Sequence, residues 1–374
     1  MHDPDFTAGT SPTSATCATL RAHYERVVLP IWRGPGFNPA MRLAYEAVAS
    51  DGVTPVPAHR YRAMACARQL FVFAHAGDIG HADKLFDSLQ TYFQDRQNGG
   101  WFYSVDASGA PHERQKDLYT HAFVIFACAE YARRALPAAA KNALAVLEET
   151  SATIESRMSA EGDLFQSAMT EDFSTASGSA LQNPLMHLTE AWLAARETTG
   201  DAVFDRRLNK LAAALARAFV HRETGCIAEL PMGSANNWLE PGHQFEWLFL
   251  VEGSGHAAFE AAGLNRALMR AFDFVQQYGV DPLTGGVAAS VNEHGDVIDS
   301  TQRIWAQTEY LRALATHAGG AVRAQLPAQI ERFTKRFLRP HGWIESQTAH
   351  GGIVRAEMPS TTPYHLATAY DALP

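Results

Sequence analysis

A chain of 374 residues, 47% hydrophobic and 19% charged, can bury an extensive core as two average domains or one large closed architecture. Its formal charge of −9 argues against nucleic acid or an anionic membrane as partner. A phosphorylated substrate stays open, because one local cluster of arginines can outvote the global field.

Residues 1–16 are rich in Ser, Thr, Asp and Pro and carry neither a basic nor an apolar leader region, so they read as a disordered tail and not as a signal peptide. No apolar run approaches the ~18–20 residues that span a bilayer. Cys17, Cys66, Cys128 and Cys226 are far apart and form no CxxC pair. They read as reduced thiols of a soluble, cytoplasmic protein.

From residue 17 onward the periodicity is helical. Apolar residues recur at i, i+3, i+4 and i+7 over 61–76, 118–134, 137–150, 184–197, 203–220, 245–274, 303–317 and 322–338. Several windows are apolar nearly all round, which requires cover on both faces and hence an inner and an outer layer. Gly100–Gly109, Gly286–Gly295 and Gly342–Gly351 each alternate over the same length and read as small hairpins in loops before helices.

Histidines cluster just inside helix starts. His187 follows Asn183-Pro184, an expected N-cap and first-turn proline, and has Glu190 one turn on. His243 follows Glu240-Pro241-Gly242, with Glu246 one turn on, and His365 follows Thr362-Pro363. Arg68, His121, His187, His243, Gln307 and His365 recur about every 60 residues, room for two helices and a loop. Six such units predict a ring of helical hairpins, an (α/α)6 barrel spanning 17–374 as one domain, whose inner helix starts converge under the hairpin loops. The alternative, an open helical solenoid, would string these side chains along a groove.

The stretches EPGHQFEW, NPLMHLTEAW, RIWAQTEYLRA and MPSTTPYHL, with ARQLFVFAHA and KDLYTHAF, resemble signatures of the N-acylglucosamine 2-epimerase superfamily, from about residue 58 onward. The segment from Gly342-Trp343 to His365 is most similar to the mannose isomerase branch. The resemblance implies an (α/α)6 barrel and proton transfer at C1/C2 of a sugar without cofactor or metal. It implies a monosaccharide as the partner molecule, with monomer and dimer equally open. By the same resemblance His243 and His365 are the catalytic pair, His365 moving the proton between C2 and C1 and His243 serving ring opening and the sugar oxygens, or the reverse. Asn183, His187 and Glu246 match sugar-contacting positions, and Arg68 matches a cation for the enediolate, with Arg60 and Arg62 close enough to be confused with it. Trp305, Gln307, Tyr119 and His121 complete the expected binding set, and Gln244 stands where many relatives carry His.

Independently of any family, C2-to-C1 proton transfer needs a base near neutral pKa, a second acid–base group and donors for an oxyanion. A helix start disfavours imidazolium, while Glu246 beside His243 favours it, and sequence alone leaves the balance open. The H-x-x-E pairs could instead hold a divalent metal. A glycoside hydrolase would need two facing carboxyl groups, and the expected site reads as His-rich and carboxylate-poor.

Overall fold

The computed structural model describes residues 12–178 and 180–374. Among the described residues, twelve principal helices alternate between two layers. The outer layer holds α1 (Pro12–His23), α3 (Ile79–Ser88), α5 (Pro137–Arg157), α7 (Val203–Ala218), α9 (Leu264–Gly279) and α11 (Leu326–Phe337). The inner layer holds α2 (Ala63–His75), α4 (Leu118–Arg134), α6 (Gln182–Thr199), α8 (Pro241–Ser254), α10 (Ile304–Thr316) and α12 (Thr362–Ala372). Each inner helix packs on the next, and α12 packs back on α2, so the ring closes as an (α/α)6 barrel and the open solenoid is excluded. Among the described residues no helix is long and apolar enough to cross a membrane.

Burial explains the layering. Along α7, Leu208, Leu211 and Leu215 form one buried stripe and the opposite face is charged, as expected of an outer helix. In α2 every residue from Ala63 to Ala74 is buried, because neighbours cover it on all sides. Trp192, Trp247, Phe73 and Phe204 lie fully buried within the cluster that joins the two layers. All four cysteines are buried and unpaired.

Several expectations need correction. Of the segment 1–16 expected as a tail, 1–11 lie outside the described residues, and helix α1 already begins at Pro12. The window 245–274 is interrupted: α8 ends at Gly255 (φ 56°), and Gly263 (φ 74°) precedes α9, with a short helix Ala257–Ala261 between. Periodicity misses this break because the apolar stripe continues across it.

The three glycine-bounded segments do form hairpins, but each turns at its second glycine. Gly109, Gly295 and Gly351 have φ of 90°, 92° and 86°, a region closed to most side chains, and the return strand follows them. These hairpins also bind their neighbours. Arg60–Arg62 pairs with Ser104–Asp106, Lys116–Asp117 with Ala168–Met169, and Gln302–Arg303 with Ser346–Gln347. Leu239 bridges Val291, and Met358–Pro359 pairs with Ala47–Val48. One device recurs: the first N–H of α2, α4, α6 and α10 donates to the carbonyl of Tyr103, Ser167, Glu229 and Glu345, at 2.9–3.1 Å. One otherwise unsatisfied donor at each of these four helix starts is thus met by the hairpin of the following unit, which ties the helix starts around a common mouth.

Candidate active site

The helix starts bring together residues more than 100 positions apart. Gly242 lets α8 approach α10, since a Cβ there would lie 2.7 Å from the Trp305 ring. The ring centroid of Trp305 lies 5.1 Å from that of His243 and 5.7 Å from that of His365. Both imidazoles are buried, so the two histidines expected to form the pair do border one indole.

Their surroundings differ in sign. His243 Nδ1 lies 2.8 Å from Glu229 Oε1, and Glu240 stands at 3.8 Å. Burial alone would push this histidine down, but Glu229 and then Glu240 outweigh it and raise its pKa to about 10. His365 Nδ1 donates to Glu309 Oε1 at 2.9 Å, while Glu309 Oε2 accepts from Arg312 Nη1 at 2.7 Å. Burial, reinforced by the nearby Arg68, His187 and Arg312, holds His365 well below the ordinary imidazole range. The shifts favour the imidazolium at His243 and the neutral imidazole at His365. The open balance at His243 is decided by Glu229, which sequence reasoning did not single out. Glu246 does not orient His243.

Glu246 instead lies on the barrel axis. One of its oxygens is within 4.8 Å of donor atoms from His187 and Glu190, and likewise from Glu309 and His365. Burial, then Glu309 and Glu190, raises its carboxyl well above the usual range, which favours its protonated form. His187 Nδ1 donates to Glu190 Oε2 at 3.4 Å, and Tyr364 donates to the same oxygen. Burial pushes His187 down to about 4. Glu190 thus belongs to this network.

Arg68 is buried, with Arg60 and Arg62 resolved as different: those two are half-buried and paired with Glu113 and Glu46. Its guanidinium lies 4.2 Å from the Phe123 ring centre and 4.9 Å from that of Tyr364. It donates to Tyr119 Oη at 2.6 Å and to the Thr361 carbonyl at 3.3 Å. Tyr119 also packs edge-on against His187 at 4.7 Å. Asn183 is not the N-cap: α6 begins at Gln182 with Leu181 in that place. Asn183 Oδ1, Arg68 Nε and Glu246 Oε1 are all buried without a hydrogen-bond partner.

Two expected residues serve the scaffold. His121 has both ring nitrogens engaged, Nδ1 with the Asp117 carbonyl and Nε2 accepting from the Trp101 N–H. Gln307 clamps Val287, accepting from its N–H at 2.9 Å and donating to its carbonyl at 3.1 Å. Gln244 grips Ile227 in the same way at 2.8 Å in both directions. The six-fold marker was therefore one residue out of register: Gln244, not His243, is the counterpart of His121 and Gln307.

The expectation of a carboxylate-poor site is also corrected, because Glu190, Glu229, Glu240, Glu246 and Glu309 all gather here. Glu190, Glu229 and Glu309 are committed to histidine, tyrosine or arginine and Glu240 accepts from the Trp238 indole N–H, which leaves Glu246 with a free oxygen. Three donor groups lie close enough for a metal ion: His187/Glu190/Glu246, Glu229/Glu240/His243 and Glu246/Glu309/His365. A cation fits the second and third poorly, since His243, favoured as an imidazolium, belongs to the second and the Arg312 guanidinium stands against the third.

Residues 45–369 match the family described as N-acylglucosamine 2-epimerase (GlcNAc 2-epimerase). The chain is 29% identical over 369 residues to a mannose-6-phosphate isomerase of Rhizobium meliloti (strain 1021), covering 91% of this chain and 92% of that one. It is 30% identical over 179 residues to a D-mannose isomerase of Thermobifida fusca, covering 46% of this chain and 39% of that protein. A crystal structure of D-mannose isomerase superposes with a TM-score of 0.84 at 20% identity, covering 98% of this chain and 99% of the other. Cellobiose 2-epimerase from Spirochaeta thermophila DSM 6192 gives the same TM-score and identity, over 98% and 97%. The chain belongs to the N-acylglucosamine 2-epimerase family and is an isomerase of that family.

Proposed function

We propose that this isomerase interconverts D-mannose and D-fructose, and also D-lyxose and D-xylulose, by cofactor-independent proton transfer through a cis-enediol. The contrast between a charged His243 and a neutral His365 beside one indole carries this reading. Neutral His365 removes the C2 proton of the open-chain aldose while His243 imidazolium protonates O1, giving the enediol. His243 then recovers a proton from the C2 hydroxyl as His365 returns its proton to C1, which leaves the ketose. Arg68 stabilises negative charge on the sugar oxygens, and protonated Glu246 donates to a hydroxyl. Trp305 offers an apolar platform for the sugar's C–H face. One base that returns its proton to C1 on the face it came from suits an aldose–ketose isomerase, whereas a 2-epimerase would need His243 to protonate C2 from the opposite face. An unphosphorylated sugar is favoured because Arg60, Arg62 and Arg114, near the mouth, are paired with Glu113, Glu46 and Glu171. Four buried free thiols suit a reducing cytoplasm.

Incubation with mannose, and separately mannose 6-phosphate, in deuterated water tests the reaction. Isomerisation yields fructose, with any exchanged deuterium at C1. Glucose carrying deuterium at C2 would replace this reading by 2-epimerisation, and turnover of the phosphate ester alone would overturn the choice of a free sugar.

The pH profile follows from the two shifts. His365 must be neutral, so kcat/KM rises as pH climbs through its depressed pKa, below 6.5. His243 must be charged, so the rate falls as pH passes about 10. A profile that is still rising beyond pH 10 would contradict the assignment of His243 as the acid.

A further inference from the structure

We propose that Glu229, held by Gln182 and Trp247, is the positioning residue for His243, keeping Nδ1 protonated and fixing the ring so that Nε2 is the nitrogen that exchanges a proton with the sugar. The inference rests on reading His243 as the acid of the site.

Glu229 comes from the loop between α7 and α8, yet its backbone is tied at both ends. Its N–H donates to the Trp238 carbonyl and its own carbonyl accepts from the Gln182 N–H, each at 3.1 Å. The side chain is buried and ends 2.8 Å from His243 Nδ1. Gln182 Nε2 donates to both carboxylate oxygens at 3.0 Å. The orientation of that amide is set from behind, because Trp247 Nε1 donates to Gln182 Oε1 at 2.7 Å. An acceptor is thereby forced onto the amide oxygen, and the NH2 group must face Glu229.

With its carboxylate so held, Nδ1 is the nitrogen that donates inward, and Nε2 is the nitrogen left for substrate. The titratable and charged groups facing His243 include Glu240 at 3.8 Å on one side and Glu246 from its own helix, both of which also favour the imidazolium. Glu229 differs from them in touching Nδ1 directly. Gln182 Nε2 also lies 2.9 Å from Nδ1, so a bare Nδ1 would find a donor there. The pocket can therefore hold either tautomer, and the negative charge of Glu229 selects the one with Nδ1–H. The position itself is structural in origin. Glu46, Tyr103, Ser167, Ala289 and Glu345 occupy the equivalent place, two residues past a bridged residue, and only at Glu229 does a histidine meet the side chain.

Glu229→Gln keeps the shape and removes the charge, and Glu229→Asp keeps the charge on a shorter arm. In ring-15N-labelled protein the His243 resonances, assigned by their loss in His243→Asn, should titrate near 10 in the native enzyme. In Glu229→Gln the midpoint should fall by more than one unit, and the nitrogen shifts should report a changed Nδ1–H to Nε2–H ratio. The alkaline limb of the rate should move down by the same amount, kcat should drop about 100-fold with KM within threefold, and Glu229→Asp should restore most of both shifts. An unmoved His243 midpoint in Glu229→Gln overturns the proposal, whatever happens to activity or melting temperature. The titration needs no substrate. A moved midpoint in an enzyme that leaves mannose untouched would retain the positioning role and discard the sugar assignment instead.

Discussion

His365→Asn lowers kcat on mannose by about 10³–10⁴-fold while leaving the fold intact, because general-base catalysis by one positioned side chain contributes up to about that much. The Asn side chain places its NH2 group near the position of Nδ1. It can still donate to Glu309, whose second oxygen remains held by Arg312, so the buried carboxylate keeps both partners. What disappears is Nε2, the only part of the residue asked to accept a proton. Sugar binding should change far less than kcat, since Trp305, Arg68 and Asn183 are untouched. Comparing kcat and KM with melting curves of both proteins checks this. Turnover within tenfold of the native enzyme would remove His365 from the chemistry.

Arg312→Met destabilises the protein by about 3–5 kcal/mol, the usual cost of removing one partner of a buried ion pair. Arg312 is almost wholly buried, salt-bridged to Glu309 and stacked 3.8 Å from the centre of Phe249. It is the cation that offsets Glu309, Glu246 and Glu190 in the middle of the barrel. Met preserves bulk against Phe249 but leaves these carboxyls uncompensated, so they bind protons more tightly in the folded state than in the unfolded one. Stability then falls as pH rises above the ordinary carboxyl range, because the folded state holds the extra protons. The deficit should therefore be largest near pH 8 and shrink toward pH 4.5. Thermal unfolding of both proteins across that range measures it, and a deficit independent of pH would deny Arg312 its electrostatic part.

Much of this was legible in the sequence because helix periodicity and proline-marked helix starts are local signals. The recurrence near 60 residues placed His187, His243 and His365 at the inner helix starts, where the structure has them. The same recurrence could not tell which turn position faces the axis. His121 and Gln307 share a place in their helices with Gln244, where the side chain reaches outward to loop backbone, and His243 precedes that place by one. Local patterns were also silent about Glu229. Its function depends on Gln182, 47 residues earlier, and on Trp247, whose indole looked like simple packing. The offset shared with Glu345 was the available clue, visible only once the hairpins are aligned on the residue that bridges the preceding helix end. Arg312 and Tyr364 were hidden because burial all round an inner helix erases the contrast between axis and wall.

The interlocked mouth has a consequence for how the protein is made. Each hairpin secures the helix start of the unit before it, so no unit synthesised on the ribosome can finish its rim until the next one has emerged. The final seam joins Met358–Pro359 to Ala47–Val48, a separation of about 310 residues, and His365 lies beyond it. Contacts that distant form late and slowly. A nascent chain can stack its helices early, yet it brings His365 beside Trp305 and His243 only in the last step of folding.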